Sequence, residues 1–578
     1  MAEFDFNGFR ISTATEDLLK SEKIERTATD GVEEYKISLD FGKEVSPKTY
    51  TVTWDMKQVD MIGFWSSTSS LQHNITPDWW VRSVDSKTAS GMPLIVLYNK
   101  ANQNRACVAL SDPLTSTRLS VGVVEETGCV RFKVEIFSTL SANTDKYEAV
   151  LRIDTRPLTL VKAIGEVRDW WTKIGYTPAY VPEGAKAPLY SAWYSFHQRT
   201  IPEEIIAECK VAKECGMDTL IVDDGWQTDD GSRGYAYCGD WKICERKIPD
   251  MKDFVDKIHA LGMKFMIWFS VPYVGIKSQN YERFKGKYLY YNKRMGASIL
   301  DPRFKEVRDF LVNIYVDYVK KYGWDGLKLD FIDSFRLTDE SSTDYEAMDC
   351  VSVEEAVNKL LYEITTKLRA INPEFLIEFR QSYIGPAIVQ YGNMLRATDC
   401  PNDAILNRVH TLHLRMTSAG IPVHSDMLMW NKNDTPEAVA YQLFACMFSV
   451  PQISILFDNI TSEHKRVLKA FLSFWREHRD TVLDSELELF DAEANFSMAR
   501  AFNEKECVCV QYQQLVANVD KRPTHVFNST GSDGVYVELE CDKKYEIYNI
   551  YGELYAQGTL NAGIHLINAK NCERVSLI

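Results

Sequence analysis

Gly326-Leu-Lys-Leu-Asp-Phe-Ile-Asp333 is the stretch on which the fold turns. In a strand, alternate side chains take opposite faces, so Lys328 and Asp330 share one face while Leu327, Leu329 and Phe331 take the other. An amphipathic stretch, Phe304–Tyr322, precedes this run, and a second one, Val353–Ile371, follows it. The unit is therefore a strand between two helices, and the same alternation recurs on both sides.

Working outward, eight candidate strands emerge: Tyr190–Phe196, Thr219–Asp224, Lys264–Ser270, Gly326–Phe331, Phe375–Arg380, Met394–Asp399, Ile421–Asp426 and Ile453–Asp458. Helices such as Ile201–Cys215 and Met251–Leu261 separate them, and Gly216, Gly262 and Gly323 stand where a helix C-cap needs glycine. Eight alternations within residues 181–483 predict an α/β fold, a (β/α)₈ TIM barrel, whose strand ends build the site while the strand interiors pack the core. A doubly wound open sheet is the competing architecture, but no Gly-rich phosphate loop follows any strand.

The barrel is flanked by segments of a different pattern. Residues 1–180 hold short alternating runs such as Tyr50–Trp54, Leu94–Tyr98 and Val130–Ile136, which predict an N-terminal β-sandwich. The Pro/Gly-rich run Thr177–Pro188 joins it to the barrel. Residues 484–578 return to short strands (Cys507–Tyr512, Gly534–Leu539, Tyr545–Asn549) and predict a small C-terminal β-sandwich.

The 578 residues are 45% hydrophobic and 25% charged, a composition of chains that fold throughout. A net charge of -15 opposes binding to nucleic acid or to an anionic membrane surface, so the expected partner is a small neutral substrate. Thirteen cysteines without paired spacing read as reduced thiols. The opening Met1-Ala-Glu-Phe-Asp-Phe6 lacks a basic segment followed by an apolar run, so the expected location is cytoplasmic.

Three segments carry candidate chemistry. A buried Asp330 costs several kcal/mol unless it is paired, and Lys328 on the same face is positioned to keep it ionised, which suits a nucleophile. Leu395-Arg-Ala-Thr-Asp-Cys-Pro-Asn-Asp403 ends strand six in Arg396 and Asp399. Asp399 either faces Asp330 across a bound sugar, as paired glycosidase carboxylates do, or caps the following helix. Val222-Asp-Asp-Gly-Trp-Gln227 ends strand two with Asp223 and Asp224, acceptors for sugar hydroxyls. No His and no third carboxylate stands near them, so no metal and no other cofactor is expected. His197, His410, His413 and His424 lack metal-ligand spacing and are read as core or rim residues.

At these residues the chain resembles glycoside hydrolase family 36 and its relatives in the α-galactosidase clan. Asp223-Asp-Gly-Trp226, Gly239-Asp-Trp241, the third strand Leu261–Phe269, Lys328-Leu-Asp330 and Thr398-Asp-Cys-Pro-Asn-Asp403 are similar to that family's motifs. The resemblance implies a retaining α-galactosidase-like enzyme of three domains, with Asp330 as nucleophile and Asp399 as acid/base. It further implies that Asp223, Asp224, Trp241 and Lys328 bind the sugar's hydroxyls and C6 region, and that the protein forms a homo-oligomer.

Departures from the family pattern bear on the sugar. The third strand continues as Ser270-Val-Pro-Tyr273 rather than Glu-Pro-Glu, and Arg380 stands at the place of a Cys that contacts the sugar near C2. Arg396 replaces a Trp and is similar to the Arg of raffinose-synthase-like members. The donors that remain open are an α-galactoside, an α-N-acetylgalactosaminide or a pentopyranoside. The rival classes are a raffinose-synthase-type transglycosylase, a non-catalytic carbohydrate-binding protein on the same fold, and a metal-dependent barrel hydrolase or lyase.

Overall fold

A computed structural model describes residues 3–6, 9–13 and 18–578. Met1 and Ala2, part of the opening read for a leader, lie outside the described residues. The eight barrel strands are β1 Leu189–Ser191, β2 Thr219–Val222, β3 Lys264–Ser270, β4 Gly326–Asp330, β5 Leu376–Arg380, β6 Met394–Arg396, β7 Val423–His424 and β8 Gln452–Ile453. They pair in parallel in chain order, and β8 returns to pair with β1. The ring closes where Val450 N donates to Val423 O (2.7 Å) and Ser425 N donates to Val450 O (3.0 Å). This is the expected (β/α)₈ barrel.

Several strands end earlier than the sequence reading placed them. The chain leaves β1 after Ser191, and Trp193–Phe196 forms one helical turn. Ser454 Oγ fixes that turn by accepting from Tyr194 N (2.9 Å) and Ser195 N (3.0 Å). Phe331 takes φ +62° and so ends β4 at Asp330. β6 ends at Arg396, β7 spans only Val423–His424, and Phe457–Asn459 beyond β8 is a 3₁₀ turn. At the barrel mouth the chain stops pairing in order to turn side chains inward, and an apolar pattern does not report that point.

The helices follow their local signals. Pro202–Cys215 and Lys305–Tyr322 end in Gly216 (φ +101°) and Gly323 (φ +75°), left-handed C-caps that glycine adopts without a Cβ clash. Asp250 caps Met251–Ala260 by accepting from Asp253 N (3.0 Å).

The N-terminal region folds into two six-stranded antiparallel sheets around a core in which Trp54 stacks on Phe132 at 5.1 Å. The C-terminal region has a seven-stranded and a three-stranded sheet. The three regions meet at buried His413, whose ring packs against His73 (5.6 Å) of the first and Phe496 (5.5 Å) of the last. Among the described residues no helix is long and apolar enough to cross a membrane.

Candidate active site

At the C-terminal end of the barrel the structure gathers nearly all the residues the sequence singled out. Asp330, last residue of β4, is 8% exposed. Its Oδ1 accepts from Arg380 Nε (3.0 Å), from Phe331 N (2.8 Å) and from the Tyr383 hydroxyl in a very short contact. Its Oδ2 accepts from Trp268 Nε1 alone (2.9 Å). Burial opposes ionisation, but the charges of Arg380 and Lys328 and the bonds from Trp268 and Tyr383 outweigh it, holding the carboxyl well below its usual range.

The direct cation partner of Asp330 is therefore Arg380, not Lys328 as the strand alternation suggested. Lys328 Nζ lies 2.5 Å from Asp223 Oδ2, across from β4 on β2's end, and acts on Asp330 only through its charge. Asp223's charge in turn outweighs burial and raises Lys328 above its ordinary value. Both residues are 5% exposed and form the floor of the site.

Asp399 stands just beyond β6 with its side chain 53% exposed. Arg396 Nη2 donates to its Oδ1 (2.8 Å), while Nη1 pairs very closely with buried Asp426 and Nε lies 3.6 Å from buried Glu378. Asp426 also accepts from the Tyr194 hydroxyl (2.9 Å) and Cys400 N (2.7 Å), so a single arginine ties three acids together. A general acid works best with a raised pKa. Burial does raise Asp399, but the charges of Arg396, Arg380 and Lys328 prevail and the net shift is downward. Helix capping falls instead to Asp403, which accepts from Leu406 N (2.9 Å) at the start of Ala404–Thr417.

Asp224 is nearly buried, and both its oxygens are engaged by side-chain amides: Gln198 (2.6 Å) and Gln227 (2.7 Å). Burial pushes it up to about 6. Gly225 is required between the acids and Trp226, because a Cβ there would lie 2.5 Å from Gln198 Cα. Trp241 is 1% exposed and packs against Trp226, Trp268 and Phe269 (6.0, 6.0 and 4.9 Å), so it builds the aromatic wall that carries Trp268. The ammonium of Lys328 on Asp223 stands where a divalent ion would sit, which disfavours metal binding at this pair. His424 Nε2 donates to Ala185 O (2.8 Å) and His413 Nδ1 donates to Ser69 O (3.0 Å), both as packing residues.

Several residues of this arrangement escaped the sequence reading, Trp268, Asp426, Glu378 and Tyr383 among them. Trp268 had a usable signal, because β3 pairs with β4 so that Trp268 stands beside Lys328 and Ser270 beside Asp330. Asp426 and Glu378 lie on strands already identified, yet nothing in the pattern distinguishes an inward acid from a capping one. Tyr383 follows β5 in an irregular turn, where no periodicity applies.

A family model described as Melibiase matches residues 189–483, about half of the chain. The α-galactosidase Mel36A of Lactobacillus acidophilus is 29% identical over 180 residues, 29% of this chain and 23% of that protein. The bifunctional α-galactosidase/sucrose kinase AgaSK of Mediterraneibacter gnavus is 25% identical over 282 residues, 45% of this chain and 27% of its own. The matched stretches thus span about a quarter of these relatives. The crystal structure of the α-galactosidase AgaA of Geobacillus stearothermophilus in complex with stachyose superposes with TM-score 0.62 at 15% identity, covering 99% of this chain and 81% of that one. At that identity the likeness speaks for the fold.

Proposed function

The chain belongs to the Melibiase family, and from that premise we propose that it is a retaining α-glycosidase of α-galactosidase type, acting through Asp330 and Asp399. The observation that carries the reading is the unequal loading of the Asp330 carboxylate. Three donors fix Oδ1, whereas Oδ2 has only the Trp268 N–H, so Oδ2 is the oxygen with lone-pair density to give. An ionised, oriented carboxylate with one lightly held oxygen is what attack on an anomeric carbon requires.

In the first step Asp399 gives its proton to the glycosidic oxygen while Asp330 Oδ2 bonds to the anomeric carbon and the C–O bond to the leaving group breaks. A β-linked glycosyl-Asp330 intermediate forms from the α-glycoside. In the second step Asp399, now a base, takes a proton from water, whose oxygen attacks the same carbon and releases Asp330. Two inversions leave the product α. Arg380 keeps the nucleophile charged between turnovers, and Asp223 with Lys328 offers polar contacts to the sugar at the floor. A sugar hydroxyl in place of water gives transfer by the same steps.

One observation supports a cytoplasmic location. None of the 13 cysteines is paired, and most of them are buried. The relatives named above are α-galactosidases, which is the ground for choosing galactose among the open sugars.

With p-nitrophenyl α-galactoside, α-N-acetylgalactosaminide, β-L-arabinopyranoside and α-glucoside as a panel, the α-galactoside is expected to turn over fastest, and proton NMR is expected to show the α-anomer as the first product. Turnover of another member alone changes the sugar, and a β-anomer released first from an α-linked substrate rejects the double displacement.

Tyr383→Phe gives a separate check on the nucleophile. The hydroxyl stabilises the ionised form, so its loss raises the Asp330 pKa, and activity that needs the carboxylate is lost at a higher pH as acid is added. A hydrogen bond to a charged group is worth about 1.5–3 kcal/mol, so the acid limb of kcat/KM is expected to move up by about 1–2 pH units. An unmoved limb removes Tyr383 from the account.

A further inference from the structure

Among the described residues, one group of metal-ligating side chains lies outside the site above: His478, Glu506 and His525. They are too far apart in sequence to read as a motif, and the fold brings them together. His478 is the C-cap of helix Ser462–Glu477, the helix that follows β8 and runs back towards the opposite end of the barrel from Asp330. Glu506 sits in the turn between strands Met498–Phe502 and Cys507–Gln511, and His525 is on strand Thr524–Asn528, all in the C-terminal domain. One ligand atom from each lies within 4.8 Å of the others.

We propose that His478 Nδ1, Glu506 Oε2 and His525 Nε2 bind a borderline divalent cation, zinc in the first place, that clamps the barrel to the C-terminal domain. Two imidazoles and a carboxylate are a recurrent zinc set, and a fourth, open position takes water. Ligands at about 2.1 Å from a tetrahedral ion stand about 3.4 Å apart. The observed separations from Glu506 Oε2 bracket that figure, at 2.8 Å to His478 Nδ1 and 3.9 Å to His525 Nε2.

Two of the three ligands, His525 and Glu506, are also held from behind by hydrogen bonds, as metal ligands characteristically are. Ser576 Oγ engages His525 Nδ1 (2.9 Å) from the neighbouring strand and so turns Nε2 towards Glu506. The Thr481 hydroxyl donates to Glu506 Oε1 in a very short contact, leaving Oε2 for the ion. Asn503 Nδ2 donates to Thr481 Oγ1 (2.9 Å) and fixes the hydroxyl in turn. Phe474 packs on both imidazoles, with centroids at 4.1 and 5.4 Å, and shields one side of the cluster. Side-chain exposures of 11%, 20% and 14% leave the group reachable by an ion but not freely solvated. Arg574, the nearby cation, is engaged with the rings of Phe474 (4.6 Å) and Tyr548 (4.0 Å).

The test uses the full chain, stripped with a chelator and titrated with Co²⁺ and then Zn²⁺. One equivalent of Co²⁺ with the visible bands of a four-coordinate ion, displaced by Zn²⁺ with a rise in Tm, is the expected result. Glu506→Gln and His525→Ala, checked for folding by circular dichroism, are each expected to bind at least about tenfold more weakly. If His525→Ala does not fold, His478→Asn serves in its place. A wild type that shows no such spectrum, or uptake undiminished in the variants, overturns the assignment.

Discussion

Asp330→Ala is expected to lower kcat on the α-galactoside by on the order of 10⁵-fold or more, the scale on which loss of a covalent nucleophile is felt. The geometry explains why no neighbour can take over. The acids Asp399 and Asp426 are tied to Arg396, and Asp223 is tied to Lys328, so none is free to reach the anomeric carbon. The substitution also strands the donors that converge on Asp330, namely Arg380 Nε, Trp268 Nε1, Tyr383 OH and Phe331 N. Part of the effect will therefore be a loss of stability, and Asp330→Asn, which keeps an acceptor oxygen, separates the two. It should fold better and remain as inactive. Added azide fits the cavity left in Asp330→Ala and attacks the α-glycoside from the face the carboxylate occupied, so the rescued product is the β-galactosyl azide. Near-normal turnover by Asp330→Ala would sink the mechanism.

The barrel was legible because its strands are short apolar runs between amphipathic helices, and that contrast survives without any knowledge of packing. The site was legible where a charge stood inside an apolar run, as with Lys328 and Asp330 in β4, since a buried charge needs a reason. The sequence could not say which charges meet. Strand alternation makes Lys328, two residues from Asp330, its expected partner, yet the closed barrel pairs Lys328 with Asp223 and Arg380 with Asp330. Pairing across strands depends on register, and register is a property of the closed ring rather than of any one segment. Trp241 shows a related limit. Its motif was recognisable, but its placement against Trp226 and Trp268 depends on a loop whose path no periodicity encodes.

Asp399→Ala is the second large loss, and its pattern is more telling than its size. Removal of a general acid costs about 10²–10⁴-fold, and the loss in kcat/KM, which reports the glycosylation step, should be full for a sugar leaving group, which must be protonated, and small for p-nitrophenolate, which leaves unaided. With the aryl substrate the glycosyl-Asp330 intermediate then accumulates, because no base activates water, and a burst of p-nitrophenol is expected. Azide needs no base, enters from the face opposite Asp330, and should yield the α-galactosyl azide, the opposite anomer from that rescued in Asp330→Ala. The pair of azide products thus assigns the two roles by stereochemistry alone. The charges around Asp399 add a pH signature. Arg396, Arg380 and Lys328 hold it below its usual value in the free protein, and Asp330 lies below its own. The free enzyme needs Asp399 protonated and Asp330 ionised, so kcat/KM should peak on the acidic side of neutrality and fall as pH rises through the Asp399 pKa. Bound sugar excludes water from the half-exposed carboxyl and weakens its solvation, which raises that pKa. The alkaline limb of kcat should accordingly lie above that of kcat/KM, and coincident limbs would mean that substrate leaves the Arg396–Asp399 pair undisturbed.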